Sequence, residues 1–392
     1  MTGPLAEPLT VGVLGCGTVS EPYLRNAEGF TAIEIKACAD ADLARAFAKA
    51  ETHGIEAMSV EALLDDGDIE LILNLTPAQA HAETSEGVLA AGKHLYSEKP
   101  LAVSLAQAKR LFAIADEQGV RIGSAPDSFL GGGQQAARRL LDEGKIGRVI
   151  GGHASFISRG VEHWHPDPDN FYRPGGGPLL DAGPHYVTAL VNLLGPVARV
   201  SAMSATSFET RTIATGCRRG EQVAVQVPTH VTGTLSFVSG ALLSLTLSWD
   251  VSKHDQRPIE LYGSEGSMIV PDPTFFGGTP LFGADKDPWR ARPPFGLAFR
   301  APNVTHNGGA VAADYRILGV VDMAYGLRDQ RPHRAHGQLA YHVLEVLSGL
   351  DTSDRTGRHV DIESRPERPP VLPLGRGEAV FYEEMANGAG AP

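Results

Sequence analysis

The sequence predicts an α/β protein. A doubly wound parallel sheet occupies the first third, and a second domain with an antiparallel sheet covered on one face follows. Three observations carry this. Strand and helix patterns alternate from residue 9 to about residue 125, as in a parallel sheet with crossover helices. After residue 126 the pattern shifts toward period-two strands. The length, 392 residues, suits two domains at roughly 100–200 residues each.

Residues 1–8 read as a short disordered lead. Leu9–Leu14 is a brief apolar run bounded by glycine, the mark of a buried strand. Gly15-Cys-Gly-Thr-Val-Ser20 follows, then a helix to about Asn26. Ala32–Ala39 alternates Ile33, Ile35 and Ala37 with Glu34 and Lys36, a second strand that ends at Asp40. Asp42 to about Glu51 and Val60–Leu64 are helical, and Ile69–Leu75 is a buried strand. Thr76-Pro77 predicts a helix start, because threonine caps and proline at the first helical position loses no bond. That helix runs to about Ala91 and stops at Gly92. His94–Ser97 is a strand, Ser104-Leu-Ala-Gln107 is a capping box opening a helix that stops at Gly119, and Arg121–Ser124 is a strand.

Beyond this point the pattern predicts a helix at Gln134–Glu143, a strand at Val149–Ser158 and a helix over Asp181–Leu194. Val231–Val238 and Ala241–Trp249 flank Ser239-Gly240, a two-residue hairpin turn. Residues 271–335 are rich in proline and glycine and read as irregular connections. A helix at about Ala335–Leu347 and a loose tail complete the chain. The boundary expected from this is 1–126 for the first domain and 127–392 for the second.

Composition narrows the function classes. Apolar residues make up 42% and charged residues 20%, ordinary for a globular protein. No apolar run reaches the ~18 residues of a membrane span, and MTGPLAEPLT lacks the features of a secretory signal. Three cysteines give neither a disulfide framework nor zinc-ligand spacing, so the expected compartment is the cytoplasm and no metal is expected. A net charge of −12 gives no bulk attraction for nucleic acid or a membrane surface. The 45 glycines exceed the usual share of about 7% and point to loops where backbone must turn sharply or approach a ligand.

Three motifs carry chemistry. Gly15-x-Gly17-x-x-Ser20 follows a strand and opens a helix: Gly15 permits the tight turn, Gly17 lets backbone approach a pyrophosphate, and the helix N-terminus presents its N–H groups. Asp40, at the end of the second strand, would accept hydrogen bonds from an adenosine ribose and repel a 2′-phosphate, favouring NAD over NADP. Glu98-Lys99-Pro100 ends another strand of the same sheet, where ligands collect. Lys99 is either a surface cation or a group that transfers a proton, given a lowered pKa, or polarises a substrate oxygen. In Gly175-Gly-Gly-Pro-Leu-Leu-Asp181-Ala-Gly-Pro-His185, the Asp181/His185 spacing puts both on one helix face. They form an acid/base pair, or a capping Asp beside a satisfied His.

Together with Asn74-Leu-Thr-Pro77 and His81, these motifs make residues 9–350 resemble the Gfo/Idh/MocA family of NAD(P)-dependent sugar and cyclitol oxidoreductases. The resemblance implies a Rossmann domain followed by an α/β domain with a large, mostly antiparallel sheet. That sheet's open face would make a homodimer or homotetramer. It also implies that Gly15, Gly17, Thr18 and Val19 cradle the pyrophosphate and that Asp40 holds the adenosine ribose. Asn74, Thr76, Pro77 and His81 would flank the cofactor, and Glu98 would reach the nicotinamide ribose. Lys99, Asp181 and His185 would be the catalytic set, with Asp181 orienting the imidazole. Ser20 stands where Ala or Gly is commoner, and Pro184 where many relatives have another residue.

Weaker signals concern substrate. His163, Trp164, His165 and Tyr172, with Asp167, Asp169 and Arg173, would wall a polyol or sugar site; Trp164 would stack on a sugar ring. Asp127 would touch substrate or cap the next turn, and Gly131–Gly133 are a close-approach loop or a joint. The expected activity is hydride transfer between NAD and a secondary alcohol of a sugar or inositol. A redox-assisted glycosidase and a non-catalytic sugar or NAD sensor are the alternatives on the same fold.

Overall fold

The structure is a computed structural model that describes residues 4–305 and 309–382; the first three residues of the expected lead lie outside it. The first sheet contains β1 (Leu9–Leu14), β2 (Ile33–Ala39), β3 (Glu56–Met58), β4 (Leu71–Asn74), β5 (His94–Ser97) and β6 (Ile122–Ser124). All pair in parallel, in the order β3-β2-β1-β4-β5-β6. The order reverses between β1 and β4, and that reversal opens a crevice at the carboxyl ends of the strands. The crossover helices are α1 (Ser20–Ala27), α2 (Leu43–His53), α3 (Val60–Asp65), α4 (His81–Ala90) and α5 (Leu105–Gln118). Asp42, Ser59 and Ser104 cap α2, α3 and α5 through their side chains.

The helix expected at Thr76-Pro77 begins instead at His81. The Thr76 hydroxyl is 2.7 Å from Asn74 Oδ1, and the Pro77 carbonyl accepts from Ala80 N at 2.8 Å, closing a separate turn. Local capping chemistry was outcompeted by the buried amide of Asn74.

The chain continues through α6 (Gly132–Asp142), β7 (Val149–Ile157), α7 (Asp169–Tyr172), α8 (Gly177–Asp181) and α9 (Gly183–Leu194). Next come β8 (Val197–Ala205), β9 (Thr210–Thr212), β10 (Gln222–Ala224), β11 (His230–Phe237), β12 (Leu242–Ser248), β13 (Ile259–Gly263) and β14 (Ser267–Val270). The last elements are β15 (Leu281–Gly283), β16 (Arg290–Ala291), β17 (Val304–Thr305), β18 (Val311–Ala312), α10 (Leu318–Arg328), α11 (Gly337–Thr356) and β19 (Val360–Asp361). The second sheet runs β16-β15-β14-β13-β7-β12-β11-β8-β19, antiparallel except where β7 meets β12. Leu243, Leu245 and Leu247 face the core, while Ser244 is exposed on the other side. The β11–β12 turn closes at Gly240, whose φ is +87°.

Four readings need correction. The helix expected over 181–194 is two helices broken at Ala182, with Asp181 ending one and His185 in the first turn of the next. Residues 318–328, expected to be irregular, form α10; nine of its residues are buried, so its apolar pattern goes all round and shows no helical period. The final helix extends to Thr356. The tail is anchored rather than loose: Val380 and Phe381 are buried, Leu372 N donates to Gln135 at 2.8 Å, and Glu378 accepts from Ala32 N at 2.7 Å. Among the described residues no helix is long and apolar enough to cross a membrane.

Gly131–Gly133 now have an assignment. They let α6 start flush against two strands of backbone, with Gly132 N donating to Phe299 O (3.2 Å) and Gly133 N to Phe276 O (3.0 Å). A Cβ on Gly133 would lie 2.0 Å from Gly277 O. Gly133→Ala is therefore expected to cost about 2–3 kcal/mol or more by forcing two backbones apart. A melt within a degree of the parent would refute this packing account.

Candidate active site at the carboxyl ends of the parallel strands

The glycine turn lies at the crevice. Gly15 has φ +103°, and a Cβ there would come within 2.7 Å of the Leu75 backbone, so β1 and β4 can close only around glycine. At Gly17 a Cβ would meet nothing within 4 Å. The turn thus leaves an open cradle in front of α1, whose first N–H groups point out of the helix end. Thr18 is exposed, Val19 half-buried, and the Ser20 hydroxyl donates to Gly17 O at 2.7 Å. This cradle fits a pyrophosphate. Asp40 accepts from Cys16 N (2.8 Å) and Asp42 N (2.9 Å), so its carboxylate braces the turn from the end of β2.

On the β4 side, Asn74 and His81 are buried and hold the turn together. The Asn74 amide donates to Thr84 (2.8 Å) and Ser85 (2.9 Å) and accepts from Thr76 N (3.1 Å). His81 bridges Pro100 O (2.7 Å) and Thr76 O (2.6 Å), and burial lowers its pKa. Pro77 and Gln79 are the exposed residues of this turn, and Thr76 is half-buried.

The second cluster forms where β5 and β6 end. Glu98 is buried and accepts from Tyr23 Oη at 2.8 Å and from Lys99 N at 2.9 Å. Lys99 reaches across to α8: its Nζ donates to Asp181 Oδ1 at 2.7 Å and to Asp181 O at 2.9 Å. Burial opposes the lysine charge, but the Asp181 and Glu98 carboxylates outweigh it and hold the pKa above the usual lysine value. This reverses the lowered pKa considered from sequence. It also corrects the Asp181/His185 pairing, because Lys99 engages the Asp181 carboxylate.

His185 carries the opposite bias. Burial, then the charges of Lys99 and Arg316, push its pKa well below the usual histidine value, against the pull of the Pro273 carbonyl. Its Nδ1 is buried without a hydrogen-bond partner. The site therefore contains a charged ammonium and a neutral imidazole with an unsatisfied nitrogen, an arrangement able to accept a proton and stabilise the resulting oxyanion.

Asp127 is buried, accepts from Ile317 N (3.1 Å) and Gly319 N (2.9 Å), and thereby caps distant α10 rather than the next turn. Burial raises its pKa to about 7. Tyr172 is also corrected: its ring is fully buried and its hydroxyl donates to Glu162, so it supports the 161–173 loop from beneath. Trp164 at 64% exposure, His163 and half-buried His165 remain on the outer side of that loop. Gln79 of the first domain donates to Asn170 O and Pro174 O at 3.4 Å, holding the loop beside the crevice. Tyr23 and Arg316 join the site without any sequence motif; only the pairing of α1 and the α10 approach with β5 brings them there. Among the described residues, no group of three or more His, Cys, Asp or Glu is placed to hold a metal ion.

Comparison with known proteins agrees with this architecture. Residues 9–125 match the oxidoreductase family with an NAD-binding Rossmann fold, and residues 134–269 match the GFO/IDH/MocA C-terminal domain. A 1,5-anhydro-D-fructose reductase of Ensifer adhaerens is 27% identical over 267 residues, covering 66% of this chain and 74% of that protein. A dTDP-3,4-didehydro-2,6-dideoxy-alpha-D-glucose 3-reductase of Streptomyces violaceoruber is 31% identical over 270 residues, covering 67% and 72%. A levoglucosan dehydrogenase in complex with NADH shares the fold, with a TM-score of 0.76 at 20% identity over 91% of this chain and all of that one. With both halves matched, the chain belongs to the GFO/IDH/MocA family of oxidoreductases.

Proposed function

We propose that this protein is an NAD(H)-dependent dehydrogenase acting on a secondary alcohol of a sugar, sugar derivative or inositol. The observation that carries the reading is the Lys99–Asp181 pair together with a neutral His185 whose buried Nδ1 has no hydrogen-bond partner, at the strand ends that also form the open glycine cradle. Sugar-acting relatives on the same two domains support the substrate class. Gly15–Val19 would hold the pyrophosphate, Asp40 the adenosine ribose and Glu98 the nicotinamide ribose; Asp40 would repel a 2′-phosphate and so favour NAD. When bound, the nicotinamide supplies the hydride acceptor.

The chain's own residues do the rest. His185 Nδ1 accepts the hydroxyl proton. The Lys99 ammonium, kept charged by Asp181, stabilises the developing alkoxide without donating its proton first. Residues 1–126 serve the cofactor, and 127–392 serve substrate and assembly. Trp164 offers an aromatic face to the sugar.

Lys99→Met and His185→Gln are each expected to lower kcat for NAD-linked sugar oxidation by about 10²–10⁴. NADH binding, followed by fluorescence, should remain near wild type. Any fall in rate below neutral pH should track Asp127, near 7, and not His185, which stays neutral below the usual histidine pKa. Activity across a panel of sugars, inositols and anhydrosugars that survives either substitution would reject the assignment.

Gly17→Val tests the cradle separately. With open space at its Cβ, the variant should melt like the parent yet bind NADH at least about tenfold more weakly. Unchanged affinity would place the dinucleotide elsewhere.

Assembly would use the open face of the second sheet, where Met203 (80% exposed), Thr232 and Thr246 form one cross-strand row. Met203→Arg should convert a dimer or tetramer to a smaller species in sedimentation; a wild-type monomer at micromolar concentration would dismiss this assembly.

A further inference from the structure

The crevice contains a cation that the steps above leave without a role. Arg316 lines one cavity with Tyr23, Glu98, Asp127 and His185. Its backbone is fixed from three sides. Asn26 of α1 donates to both Asp314 O and Arg316 O at 3.0 Å. Asn303 donates to Asp314 O and accepts from Asp314 N, both at 2.7 Å. Asp127 accepts from Ile317 N at 3.1 Å.

Ile317 itself has φ +116° and is fully buried. A β-branched residue in that region costs of order 1–3 kcal/mol, and such strain persists where surrounding contacts over-determine it, most often at functional sites. Ile317 stands immediately before α10, and Arg316 beside it lines the crevice cavity. The guanidinium meets Asp314 Oδ2 at 3.2 Å. Against the partial burial of a side chain that stays 35% exposed, Asp314, Glu98, Tyr23 and Asp127 favour its charged form.

We propose that Arg316 is a positioning residue of the active site: its guanidinium, carried to the cavity on a backbone held by Asn26, Asn303 and Asp127 and paired with Asp314, supplies positive charge that keeps His185 free to accept a proton. The inference rests on the reading of His185 as the proton acceptor. The charged and titratable groups around the imidazole are Lys99 with Asp181, Tyr23, Glu98, Asp127, and Arg316 with Asp314. Without Arg316, burial would still oppose a charge on His185, but among the described residues Lys99 would be the one cation left beside it, and protonation of His185 would become easier.

The test compares wild type with Arg316→Met and Arg316→Lys by NMR titration of ¹³C-labelled histidine, with the His185 signal assigned from His185→Gln. No cofactor or sugar is required. The His185 midpoint should move to higher pH in Arg316→Met and stay near wild type in Arg316→Lys. In turnover, the acid-side fall of the rate should move to higher pH in Arg316→Met and stay near wild type in Arg316→Lys. Arg316→Gln replaces the methionine variant if that one does not fold.

An unchanged midpoint in a folded, neutral variant overturns the proposal. A shifted midpoint in a protein that oxidises no sugar upholds the electrostatic role of Arg316 and rejects the dehydrogenase reading instead.

Discussion

The Lys99–Asp181 ion pair is the contact on which the rest of the site depends. It joins the end of β5 in the parallel sheet to the end of α8 beneath the second sheet, with Nζ on both the carboxylate and the carbonyl of one residue. An ammonium removed from water without such a partner would lose its proton. With Asp181 and Glu98 beside it, the lysine stays charged, and the two halves of the chain share one electrostatic centre.

That centre is organised by opposing protonation preferences. Two carboxylates stabilise Lys99, while burial, and after it Lys99 and Arg316, disfavour a charge on His185. One environment therefore favours a cation at Lys99 and a neutral base at His185. Sites that push neighbouring groups in opposite directions in this way are suited to moving one proton in one direction. The buried Glu162–Tyr172 contact anchors the aromatic loop, which carries Trp164 on its exposed side.

Much of the first domain was legible in the chain because its signals are local. A strand, a glycine turn, a helix and a terminal Asp identify the crevice, and Gly15 can be justified from its turn alone. The second domain was less legible. Helix α10 has no polar face to set a period and no side-chain cap at Ile317. The Thr76-Pro77 start misled because a buried amide, supplied by Asn74, took the hydroxyl that would have capped a helix. Tyr172 looked like a site residue by composition, yet Glu162 draws it inward.

By itself the sequence determined which residues could do chemistry: the glycine turn, Asp40, the Glu98-Lys99 strand end and the Asp181/His185 stretch. These are short motifs whose meaning depends on neighbours a few residues away. Only the tertiary structure decided who pairs with whom. Asp181 turned from His185 to Lys99 because the helix breaks at Ala182. Asp127 became the cap of a helix nearly two hundred residues away, and Arg316 entered the crevice on a strained backbone. Partner choice among charges is set by distances between distant segments, and no local pattern encodes those distances.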